Sequence, residues 1–76
     1  MTEDEVRAAL RALVGIGNVE PWIADQAWEA TPDGWTVPVP FQGWIFRLVP
    51  GAGWVRITAS NGKGEPTVWT VPGRQL

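Results

Sequence analysis

The chain has 76 residues, a net charge of −2, six tryptophans, and neither cysteine nor histidine. This length allows one small domain, and the missing residue types exclude disulfide scaffolds, thiolate or imidazole zinc sites, and Ser-His or Cys-His nucleophiles. The negative balance argues against general nucleic-acid affinity. No apolar run reaches the ~18 residues that cross a bilayer, and the acidic start Met1-Thr2-Glu3-Asp4-Glu5 predicts no secretory signal and a cytoplasmic protein.

Thr2 and Glu5 have the spacing of a capping box, and Glu3 and Arg7 stand four apart as an ion pair on a helix flank. Val6, Ala9, Leu10, Leu13 and Val14 recur at helical spacing, which predicts a helix over about residues 3–14 closed by Gly15. Residues 18–31 read two ways. Pro21 can open a short helix with Trp22, Ile23 and Gln26 on one side. Alternatively, residues 25–31 form a strand with Trp28 and Ala30 on one face and Glu29 on the other. The turn signal Thr31-Pro32-Asp33-Gly34, followed at once by Trp35-Thr36-Val37-Pro38-Val39, favours the strand.

Pro38 and Pro40 share one parity and remove the same row of amide donors, so residues 35–41 are expected as an edge strand or extended arm. Residues 44–49, 54–59 and 67–71 alternate or run apolar between the turns Pro50-Gly51-Ala52-Gly53 and Asn61-Gly62-Lys63-Gly64. The expected class is α+β: one N-terminal helix packed on a four- to five-stranded antiparallel β-meander over about residues 25–72, with residues 1–76 a single domain.

Little here supports catalysis. No P-loop string occurs, and the glycines sit between strands, as turns do. Glu3, Asp4 and Glu5 read as helix caps, and Glu29 and Asp33 flank a turn, so no carboxylate pair is set for acid–base work. Ser60, the sole serine, and Lys63, the sole lysine, belong to the Asn61-Gly62 turn. No loop alternates Asp and Asn as a calcium site requires. The expectation is a protein that is no enzyme and uses no cofactor or metal.

The tryptophans point elsewhere. Each indole carries ~150–250 Å² of surface, and a domain of this size buries only ~60% of what its unfolded chain exposes. Some rings are therefore expected outside, where Trp is enriched at binding hot spots. Strand parity assigns Trp44, Phe46 and Leu48, and Val55, Ile57 and Ala59, to the core. It leaves Arg47, Trp54 and Arg56 together on the outer face. These three, with Trp69 and Trp44, are the candidate partner-binding residues; in the plainer alternative, Trp54 and Arg56 only cover each other. Residues 1–33 carry seven acids against Arg7 and Arg11, net −5, and residues 34–76 carry four bases against Glu65, net +3. Two faces of unlike sign are one consequence to expect.

The stretch from Gly43-Trp44 to Trp69-Thr70-Val71-Pro72 resembles a WW domain, a family of three antiparallel strands that binds proline-rich peptides through its second Trp and an aromatic pair on the middle strand. Here Trp69 and Pro72 would be the second Trp and the closing Pro. The middle strand, Val55-Arg56-Ile57, lacks the aromatic pair, the Trp spacing is longer, and the usual His is missing. The order of helix then meander is similar to cystatin-like and PepSY-type domains in topology alone, which implies no function. The reading that follows is a small adaptor- or inhibitor-type module that binds another protein, from a bacterium or phage with a GC-rich genome. The alternatives are a homo-oligomer that buries the surplus rings against a second copy, and a binder of single-stranded nucleic acid through Trp stacking.

Overall fold

The structure is a computed structural model, and it describes residues 1–13, 19–39 and 43–73. Two helices, α1 (Glu3–Arg11) and α2 (Glu20–Ala24), precede β1 (Glu29–Thr31), β2 (Gly34–Val39), β3 (Trp44–Pro50), β4 (Trp54–Ser60) and β5 (Thr67–Pro72). The strands form one antiparallel sheet in the order β1-β2-β3-β4-β5. The expected α+β meander is present, with a short second helix added.

The α1 N-terminus forms the capping box. Thr2 Oγ1 accepts from the Glu5 amide at 3.2 Å, and Glu5 Oε1 accepts from the Thr2 amide at 2.8 Å. Three acids in the first turn complement the positive end of the helix dipole. The helix stops at Arg11, short of residue 14. The Leu13 amide donates to Leu10 O at 3.2 Å, a three-residue closure that tightens the last turn, and Leu13 packs against the core. The proposed stop at Gly15 lies outside the described residues.

Both readings of residues 18–31 hold in part. Pro21 stands in the first turn of α2, where its missing N–H costs nothing. The strand is shorter than the favoured reading, three residues beginning at Glu29 rather than at Asp25. The cause is long-range. Arg7 Nη1 donates to Ala24 O and Gln26 O at 2.6 and 3.0 Å, and Trp28 Nε1 donates to Ile23 O at 2.9 Å. Side chains thus satisfy the carbonyls leaving α2, and no strand partner is needed there.

The edge-strand expectation is corrected for the first half of β2, where β1 pairs with Gly34 to Thr36, and holds for Val37 to Val39, which pair with β3 alone among the described residues. Backbone alternation explains how prolines fit inside the sheet. The Gly51 amide donates to Trp54 O at 2.8 Å, so amides at 45, 47 and 49 of β3 face β4 and those at 44, 46, 48 and 50 face β2. By the same alternation, 35, 37 and 39 of β2 face β3, and 34, 36 and 38 face the β1 side. Pro38 falls past the end of β1 and Pro50 past the end of β2, so neither position has a strand awaiting its donor. Pro40 and Phe41 lie outside the described residues.

Val6, Leu10 and Ile23 from the helices meet Val37, Leu48, Val55 and Ile57 from the sheet, all fully buried. Each such side chain contributes roughly 1.5–3 kcal/mol relative to exposure. Trp28, Trp35, Trp44 and Trp69 pack around this cluster as partly buried rings. The β4–β5 turn forms as its sequence predicts: Gly62 and Gly64 take φ of 77° and 74°, and Asn61 Oδ1 accepts from the Lys63 amide at 2.9 Å.

Candidate functional site: the open face of the sheet

The core side chains of α1 and α2 pack on one face of the sheet, and no described element covers the other. Register lines up that open face in rows. Thr36, Arg47, Thr58 and Val68 form one, and Val49, Arg56 and Thr70 a second. Pro38, Ile45 and Ser60 form a third, and Trp54 pairs with Pro72 at the rim. Three large apolar side chains stand out in this setting: Val68 is 54% exposed, Ile45 49% and Trp54 38%. Asp33, Arg47, Val49, Arg56, Thr58 and Val68 line a shallow hollow of about 300 Å³ on the same face.

The two arginines differ. Arg47 Nη2 donates to Asp33 Oδ2 at 3.2 Å, and Asp33 is itself held by the Thr31 hydroxyl, which donates to Oδ1 at 3.0 Å. Acid from the first half of the chain thereby meets base from the second on one face, and the expected segregation of charge is partly cancelled there. Arg56 has no acidic partner among the described residues. It is the open face's free cation, between Val49 and Thr70 in register.

Parity correctly put Arg47, Trp54 and Arg56 on one face, but Trp54 does not stack on Arg56. Its indole lies over the turn: a Cβ built on Gly51 would sit 2.1 Å from Trp54 Cζ2. The Arg–Trp stack among the described residues is instead Arg7 over Trp28, 4.3 Å from the ring centroid, on the helix side. Trp54 Nε1 has no hydrogen-bond partner among the described residues.

Trp44 and Trp69 belong to the opposite face. Trp44 stacks on Phe46 with centroids 6.4 Å apart. Trp69 Nε1 donates to Glu20 Oε1 at 3.0 Å, which ties β5 to the start of α2. Glu20 Oε2 is buried and has no hydrogen-bond partner among the described residues. Glu20→Ala, which strands the indole N–H, is expected to lower stability by about 1–2 kcal/mol in urea denaturation, whereas Glu20→Gln keeps an acceptor and most of that stability.

Trp22 is the exposed ring that sequence reasoning did not single out. It is 43% exposed and touches Phe46 edge-on at 6.4 Å. The available signal was local: Ile23 and Ala24 supply the buried side of a five-residue helix, which turns Trp22 outward.

Among the described residues, no three potential metal ligands cluster, and no helix is long and apolar enough to cross a membrane. No family model matches the chain, and neither a curated protein nor a solved structure matches it.

Proposed function

We propose that this chain is a non-enzymatic protein-binding module of adaptor or inhibitor type, and that its partner docks on the open face of the sheet around Trp54 and Arg56. The observation that carries this reading is the placement of Trp54, Ile45, Val68 and Arg56, the last without an acidic partner among the described residues, on a sheet face that no described element covers. A buried aromatic anchor with a neighbouring arginine is the composition of interface hot spots. Trp54 rests on its own turn, so little side-chain freedom is lost on docking. The face suits nucleic acid poorly, because Asp33 already neutralises Arg47. A cytoplasmic setting accords with the cysteine-free composition, and a bacterial or phage one with the Ala, Gly, Pro, Arg and Trp bias of a GC-rich genome.

Cross-linking in the native host followed by mass spectrometry tests the assignment. One protein is expected to couple to the native chain and to Asp4→Ala, a change at an exposed helix residue. The same protein is expected to be lost from both Trp54→Ala and Arg56→Glu, while circular dichroism of each variant matches the native chain. Capture that survives both changes would remove the site from this face.

A further inference from the structure

An open antiparallel sheet leaves unpaired amides along two edges, and here the two edges differ. On the β1 side, Glu29 and Thr31 turn their amides to β2, which leaves Ala30 facing out, and the uncovered half of β2 presents Pro38, which has no N–H. On the β5 side, the Gly73 amide donates to Gly53 O at 2.8 Å. The unbroken register with β4 then turns Thr67, Trp69 and Val71 inward and Val68 and Thr70 outward. Pro72 shares the outward parity and brings no donor. β5 carries no charge, the feature that commonly protects such an edge, and Thr and Val make up most of it.

We propose that β5 pairs with β5 of a second copy of this chain, antiparallel about a two-fold axis at Trp69. Pro66 and Pro72 stand three positions to either side of Trp69, and the four residues between them and the ring are all Thr or Val. Around that axis Val68 lies opposite the partner's Thr70, and each such pair exchanges both amide hydrogen bonds, so every outward donor of β5 is satisfied. Pro66 falls opposite the partner's Pro72, where neither backbone has a donor to lose. Trp69 meets its own copy as a cross-strand aromatic pair, and no like charges oppose each other along the strand. A foreign strand satisfies the same amides. The two donor-less prolines, equidistant from Trp69 and both on the outward parity, are what favour a second copy, since a two-fold interface requires a surface complementary to itself.

The contact is one strand wide, so the association is weak and depends on concentration. Sedimentation equilibrium on the full chain, from roughly 10 μM to 1 mM, is expected to show a reversible dimer. Thr70→Pro removes an outward donor while leaving the β4 ladder intact, and is expected to raise the dissociation constant roughly tenfold or more. Val68→Lys sets charge on the edge without altering the backbone, and is expected to do the same if Thr70→Pro disturbs the fold. A native chain that stays monomeric throughout the range overturns the proposal. So does a dimer that persists in both variants. Arg56→Glu, on the open face, is expected to dimerise normally, which separates this result from the fate of the docking face.

Discussion

Gly34→Ala is expected to lower the stability of the fold by about 3 kcal/mol, a fall in melting temperature of roughly 10–20 °C. Gly34 opens β2 at the end of the β1–β2 turn, where it pairs with Thr31. A Cβ there would sit 1.9 Å from Leu48 O and 3.2 Å from Val49 Cα, both backbone atoms of β3. A main-chain carbonyl cannot swing aside as a side chain does. The β2–β3 ladder must shift instead, next to Leu48, which is fully buried. Gly51→Ala is the control with similar overlap and a different outcome. The three atoms its Cβ would meet first all belong to the Trp54 ring, the nearest 2.1 Å away, and an exposed ring can rotate off the turn. That variant is expected to keep its stability within about 1 kcal/mol while the Trp54 indole resonance shifts in an amide correlation spectrum. If the two substitutions proved equally mild, the close approach of β2 to β3 at Gly34 would be wrong.

The second large effect belongs to Arg7, whose side chain is only 18% exposed. Its Nη1 donates to Ala24 O and Gln26 O, its Nε and Nη2 meet Glu3 Oε2 at 2.9 and 2.8 Å, and its guanidinium covers Trp28. The Glu3 pair is half-exposed and adds little. The weight lies in charge-assisted bonds to two carbonyls at and just beyond the end of α2, of which, among the described residues, only Ala24 O has a second donor, Arg11 Nη2 at 3.4 Å. Arg7→Ala is expected to cost about 2–3 kcal/mol by chemical denaturation, and Arg7→Lys to recover only part of that, because one ammonium cannot reproduce the planar fork and the stack together. The loss is expected to persist in high salt, since the acceptors are neutral. The exposed Arg11–Asp25 pair, at 3.1 Å, is by contrast one that salt screens. A defect in Arg7→Ala that vanished in molar salt would return the role to the Glu3 ion pair.

Much of the candidate site was legible because strand parity is a local property. Arg47, Trp54 and Arg56 share a face for the same reason that Phe46, Leu48, Val55 and Ile57 do: side chains alternate, and the apolar set goes inward. What parity could not supply is contact. Asp33 lies 14 positions from Arg47, and only hairpin closure brings them together. Trp54 sits over Gly51 instead of Arg56 because the turn leaves a bare backbone surface that the ring fills. Trp69, which the WW resemblance would place on a binding face, is turned to the helix side by its register with Ile57 and held there by Glu20, 49 positions earlier.

By itself the sequence determined the parts governed by neighbours a few positions apart: the Thr2–Glu5 capping box, the glycine turn at residues 61–64, the strand alternation, and a supply of indoles too large for so small a core. Only the tertiary structure decided which rings stay outside, that Arg7 closes α2, that β2 lies inside the sheet, and that β5 is the edge with donors to spare. The division is physical. Caps, turns and alternation arise from backbone geometry over two to four residues, whereas exposure, pairing order and edge identity depend on which distant segments pack together at a shared core.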